Sequence, residues 1–390
     1  MVSERRIEGL DIARGLALVL ALTSHCFGQF GENLPDAFNF ILRIATPLFI
    51  VLFGCMLSLA HIPKYERLDR LGSTTAYWTR AIECYLWYLA NQFTLWIVGH
   101  QSLAYSTRCA MFLGGTPYVQ ILSLYTVYFL LMPVIITLIK RFGLATLIVS
   151  AVAVHLAFFE VSSAQLNPNT YGFDYEQRVI DLLVGFGYRN IIAGPSVLHA
   201  LLLVTFGAWY GVLLREYYLQ GARFIRLFLP VLPLTALSLW SVTQTEFMPV
   251  TIKTLSDMSL RNLNHPAYLS IYGAIGLSLV TCIVALTKRI KVAPMYTVLG
   301  RRSLFTFGLG NVIISGSTFH VTSLGQAVMA TGAMLSLIAM LVYAYDAIIV
   351  ENRHGAIHSN WVASMLKRVR RKIMDQSRAL AEAAASRVAL

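Results

Sequence analysis

Arg14 and His25 stand eleven positions apart in "ARGLALVLALTSHCFGQF", residues 13–30, and the residues between them are mostly apolar. On an α-helix eleven residues rise about 16 Å and complete about three turns, so guanidinium and imidazole share one face at two depths. Ionisable side chains within a membrane span are expensive to bury and mark functional sites by default. A neutral imidazole is suited to take a proton from an alcohol, because its ordinary pKa lies near working pH. The bland alternative for His25 is a hydrogen-bonded packing residue. Asp11 precedes Arg14 by three positions on the same face and can pair with it, and such a pair equally serves to anchor a helix end.

Depth along the apolar stretches sorts the other polar residues. Arg80, Glu83, Arg301, Arg302 and Ser303 fall near the depth of Arg14, whereas Asn91, Gln92, His155, His199, Asn311 and His320 fall nearer that of His25. Cations at one level and neutral hydrogen-bonding groups at the other suit a phosphate-bearing donor. Arg14, Arg301 and Arg302 would hold its phosphates through charge-assisted bonds, with Asp11, Arg80 and Ser303 completing the donor end, while its extended arm reaches up to His25. An acyl thioester on a pantetheine arm fits, because it brings its own activation and needs no metal. Acyl-CoA is therefore expected as a co-substrate, with no bound cofactor. Asn311 is the expected partner of His25 on depth alone, since Asp11 is roughly 21 Å away along the same helix.

Other chemistries find less support. HExxH, DxD and paired-cysteine motifs are all lacking, and the five cysteines lie in or near apolar segments where packing explains them. Cys26 points about 100° away from His25 on a helix, which is poor geometry for a Cys–His couple. A proton-driven transporter would place a carboxylate near the middle of a span, and none is found there. A transporter or flippase for an anionic saccharide or lipid, with the buried cations as its substrate site, is the alternative from another class. A structural partner in an envelope complex is a third.

The elements that must position these residues are membrane helices. Of 390 residues 57% are hydrophobic and 13% charged, and the mean hydropathy of +0.63 contradicts a water-facing surface. Ten stretches approach the roughly 20 apolar residues a helix needs to cross a bilayer: 8–30, 38–60, 78–99, 117–139, 143–160, 196–215, 224–243, 266–287, 294–316 and 324–350. With both termini in the cytoplasm, 25 of the 31 Lys and Arg fall on the inner side, as the positive-inside rule asks. The net charge of +12 is thus topological, and neither basic-aromatic interleaving nor a motif points to nucleic acid. The expected architecture is an all-α polytopic bundle with a central tunnel, a transmembrane domain over 1–350 and a basic cytoplasmic tail over 351–390. The run "KRVRRK" from Lys367 to Lys372 suits an amphipathic helix lying on anionic lipid. The outward segment "NPNTYGFDYEQR" offers Tyr171, Asp174 and Glu176 to a hydroxyl-rich ligand, although an ordinary solvated loop has the same composition. Arg5 and Arg6 before an apolar run resemble a signal peptide, but there is no small-residue cleavage pattern and nine further spans follow.

"RIEGLDIARGLALVLALTSH" resembles the first span of the transmembrane acyltransferases, the group holding the acyltransferase 3 family and the OpgC-type succinyltransferases of osmoregulated periplasmic glucans. Their shared basic residue, ten intervening positions and histidine fall here on Arg14 and His25. "TPLFIVLFGCMLSLA" resembles their second span, with Phe53-Gly54 where Ser-Gly is usual. "LSLYTVYFLLMPVI", "LLLVTFGAWYGVLLR" and "LGRRSLFTFGLGNVI" resemble later OpgC-type spans. The resemblance implies transfer of an acyl group from cytoplasmic acyl-CoA to a hydroxyl of a periplasmic or cell-surface glycan, across a bacterial inner membrane. It also implies that His25 is the base and Arg14 supports the donor. The OpgC likeness favours succinyl, while the broader family more often moves acetyl.

Overall fold

The computed structural model describes residues 6–31, 34–116, 118–163, 179, 182–185, 195–244, 249–290, 292–293, 295–319, 321–353 and 361–388. All regular structure among them is helical. The chain opens with α1 (Glu8–Phe30), then α2 (Asp36–Leu42) and α3 (Ala45–Met56), which a π-helical turn at Leu57–His61 joins to α4 (Ile62–Arg67). It goes on through α5 (Arg70–Ile97), α6 (Leu103–Ala110), α7 (Gln120–Phe142), α8 (Leu144–Leu156), α9 (Phe158–Ser163) and α10 (Val197–Leu219). A 3-10 turn at Phe224–Phe228 leads into α11 (Val231–Thr243). Two short helices, α12 (Ile252–Ser256) and α13 (Ser259–Asn262), precede α14 (Pro266–Arg289). Last come α15 (Met295–Arg301), α16 (Ser303–Ser315), α17 (Leu324–Arg353) and the tail helix α18 (Trp361–Val388).

Among the described residues seven helical stretches are long and apolar enough to cross a membrane: Glu8–Phe30, Asp36–Arg67, Gln120–Phe142, Val197–Leu219, Phe224–Thr243, Pro266–Arg289 and Leu324–Ile348. The other three of the ten expected spans differ for identifiable reasons. The span expected over 78–99 lies in α5, a long helix whose polar residues Arg80, Glu83, Asn91 and Gln92 dilute its apolar face. The one over 143–160 breaks at Ala157 between α8 and α9, and the one over 294–316 breaks at Arg302, which leaves helical geometry with φ −104° and ψ 29°.

The middle of the bundle is α1, which packs against α3, α14, α15, α16 and α17. Its first half, with Leu10, Ala13, Ala17 and Leu18, joins the main apolar core, and its second half, with Leu22, Cys26 and Phe27, joins a smaller one shared with α16 and α17. Small residues permit this close packing, as is usual where lipid supplies no hydrophobic drive between helices. At Gly300 a Cβ would run into the carbonyl oxygen of Asp11, so α15 lies backbone to backbone on α1. Gly54 of α3 and Gly207 of α10 do the same for that pair, each facing a backbone carbonyl of the other helix. The tail helix packs along α5 and buries Ser377 and Ala381, while Arg371 and Lys372 are exposed.

Candidate active site

His25 sits on α1 five residues before its end, with its ring turned into the bundle. It packs against the rings of Tyr118 at 4.9 Å and Phe307 at 6.0 Å. Its Nδ1 lies 2.6 Å from Oδ1 of Asn311 on α16. The amide orientation follows from the other side of Asn311, whose Nδ2 donates to the Phe307 carbonyl at 2.8 Å. The oxygen therefore faces the imidazole, and Nδ1 must carry the proton that it accepts. That leaves Nε2 as a lone pair. It makes no hydrogen bond with any described residue and is not enclosed, on a ring that is only half-buried.

Asn311 is itself fully buried and held in place. Asn91 of α5 donates to the Asn311 backbone carbonyl at 3.2 Å and to Ser315 Oγ at 2.8 Å. The Asn91 Oδ1 and both side-chain polar atoms of Gln92 are buried without a partner. One turn beyond His25 on α1, Gln29 donates to the Ser317 carbonyl at 3.1 Å and meets His100 Nε2 at 3.1 Å, while Tyr118 donates to its Oε1 at 3.4 Å. The imidazole thus has a dry, fixed back and a polar rim.

At the other end of α1 the expected donor residues gather, but as shared ion pairs. Asp11, 2% exposed, accepts from Arg14 Nη1 at 3.2 Å and from Arg6 Nη2 at 3.0 Å. It therefore neutralises part of the cationic end. Arg301 Nη2 and Arg302 Nε both reach Asp346 of α17, at 2.6 and 2.7 Å. Consecutive residues on an unbroken helix point about 100° apart, so the break at Arg302 is what lets both guanidiniums meet one carboxylate. Because α15 lies on α1 at Gly300, the two clusters adjoin, and four guanidiniums share two carboxylates. Arg80 pairs with Glu83 at 2.6 Å. Ser303 takes the first position of α16.

Several residues of this site went unmarked in the sequence reading. His61, in the π-helical turn, is caged by the rings of Phe53, Tyr77 and Phe129. It lies within electrostatic reach of Arg14, Arg80 and Lys64. Asp346 had a signal, being the only carboxylate in its apolar stretch. Arg43 and Arg261 lie within electrostatic reach of His25. Burial lowers the pKa of the Arg261 guanidinium. The outward-segment residues Tyr171, Asp174 and Glu176, and His320, lie outside the described residues. Phe53, where the second span usually has serine, stacks on Tyr125 at 4.9 Å and offers no hydroxyl.

No curated protein matches the chain. A family model described as an acyltransferase domain matches residues 7–348, from the start of α1 through the last apolar stretch of α17. On that match, which takes in the His25–Asn311 pair and Arg14, Arg301 and Arg302 with their carboxylates, the chain belongs to the acyltransferase 3 family and is a membrane acyltransferase.

Proposed function

We propose that the protein moves an acyl group from cytoplasmic acyl-CoA to a hydroxyl of a periplasmic or surface glycan, in a bacterial inner membrane with both chain ends in the cytoplasm. The observation that carries this reading is the His25–Asn311 pair, which fixes one imidazole tautomer and leaves Nε2 as an accessible base. The acceptor hydroxyl gives its proton to Nε2 as its oxygen bonds to the thioester carbonyl carbon. The C–S bond breaks, and the CoA thiolate takes the proton back from the imidazolium, so the histidine ends neutral. The arginine clusters at the far end of α1, with their excess of cations, would hold the nucleotide phosphates. About 16 Å separates Arg14 from His25 along the helix, a span that the extended pantetheine arm is suited to bridge. The OpgC-type resemblance favours succinyl as the group transferred and a glucan as the acceptor.

The test uses the purified full chain in detergent, with acyl-CoA and a β-glucan. Release of CoA thiol should require the glucan, and His25→Ala should slow it by about 10²- to 10⁴-fold, the usual contribution of a positioned general base, while the protein still elutes as a single species. Wild-type protein that consumes no acyl-CoA, or a His25→Ala variant with unchanged turnover, would refute the reading.

A further inference from the structure

Two half-buried arginines near His25 form no ion pair with a carboxylate among the described residues. Arg43, just past α2, donates from Nη1 to Ser24 Oγ at 2.9 Å and from Nε to the Ser256 carbonyl at 3.0 Å. Ser24 is the residue next to His25, so this guanidinium is tied to the imidazole's own turn of helix. Arg261, on α13, donates from Nη2 to Gln120 Oε1 at 2.5 Å and from Nη1 to Met258 Sδ at 2.8 Å. Gln120 follows by two positions Tyr118, whose ring lies on that of His25. The Arg261 Nε is buried with no acceptor among the described residues. The two guanidiniums repel each other, and Tyr268 lies within electrostatic reach of both. Neither forms an ion pair among the described residues. Asp257, which accepts from Ser259 N at 2.8 Å, lies within electrostatic reach of Arg43 but not in ion-pair contact with it, and Asp36 accepts from Ser256 Oγ at 3.1 Å.

Buried charges are ordinarily paired, because an isolated one forfeits hydration with no return. A pair of like charges beside the reacting group therefore calls for an anion. Its source follows from the direction of delivery. A thioester that arrives from the Arg14 end presents its carbonyl to His25, and the remainder of the acyl chain, as the leading end, projects past it toward Arg43 and Arg261. A short dicarboxylic acyl group carries a free carboxylate on that leading end, and guanidiniums match a carboxylate in charge and in fork geometry.

We propose that Arg43 and Arg261 form a carboxylate subsite that selects a short dicarboxylic acyl group, of the succinyl type, over an uncharged acyl group of the same length. The proposal rests on the acyltransferase reading above and names the residues that would choose its donor.

The experiment compares succinyl-CoA with butyryl-CoA, which has the same number of acyl carbons and no distal charge. Both are tested on one neutral β-glucan with the full chain in detergent. Wild-type protein should favour succinyl-CoA in kcat/KM by at least about tenfold. Arg261→Gln should reduce kcat/KM for succinyl-CoA by about 10- to 100-fold, the range for loss of a charge-assisted hydrogen bond, with a much smaller fall for butyryl-CoA. Arg43→Gln, which also frees Ser24 beside His25, should lower both transfers but succinyl transfer by about tenfold more. Arg261→Lys, which keeps the charge and disturbs packing least, should retain part of the preference. Equal loss of both transfers in the two Gln variants, with folding verified by thermal melting, would show that the arginines only shape the site, and the proposal fails. It also fails if wild-type protein transfers both groups alike, or if the variants discriminate between neutral and anionic acceptors instead. Those outcomes leave the acyltransferase reading standing, whereas failure to consume either thioester removes both.

Discussion

At the scale of single residues, the proposed chemistry turns on one proton. The short contact between His25 and Asn311 fixes the imidazole tautomer, because the Asn311 amide nitrogen is already committed to the Phe307 carbonyl. Asn311→Ala removes the acceptor without touching Nε2. Its expected effect is a fall in kcat of about 10- to 100-fold with KM for acyl-CoA unchanged, because the wrong tautomer and a free ring orientation affect the transition state and not donor binding. Steady-state kinetics of the purified variant decide this, and an increase in KM of the same size as the fall in kcat would count against a positioning role. His25 was legible in the sequence from its spacing to Arg14, and Asn311 from depth, because residues at matched depths in adjacent spans can meet. Arg43 and Arg261 were not legible as neighbours of His25. They lie outside the helices that carry the motif, and only the packing of α2, α12 and α13 around that end of the bundle brings them in.

At the scale of elements, the joint between α15 and α16 does more than connect two helices. The broken turn at Arg302 gathers Arg301 and Arg302 on Asp346 and so fastens α17 to both. Asp346 is 7% exposed, and its removal leaves two guanidiniums without a counter-ion in a partly buried place. Asp346→Asn should destabilise the protein by about 3 kcal/mol, the low end for a broken buried pair because the arginines keep some exposure. Adding Arg302→Gln should recover part of that loss in a thermal melt. If the same two arginines hold donor phosphates, the single variant should not raise KM for acyl-CoA. A variant as stable as wild type, or one with a severalfold higher KM, would contradict this role. The sequence concealed the joint, because an apolar run with two arginines in it has the composition of a continuous span. The carboxylate that the broken turn serves lies more than forty residues later. The long apolar helices α1, α7, α10 and α14 were legible for the opposite reason, since length and apolarity alone determine them.

At the scale of the whole molecule, the arrangement is polar along α1. One end carries four arginines on two carboxylates, and the other carries the imidazole with its amide, its aromatic neighbours and two guanidiniums that form no ion pair among the described residues. Such a molecule is suited to receive its two substrates from opposite sides of a bilayer. The most direct test of that claim reconstitutes the protein in vesicles, selects one orientation, supplies acyl-CoA labelled in the acyl group to the face bearing Arg14, and seals the β-glucan on the other face. The account predicts labelled glucan inside and CoA thiol outside, with neither product formed when the protein is inverted. Label that reaches the glucan only when both substrates share one compartment would contradict it.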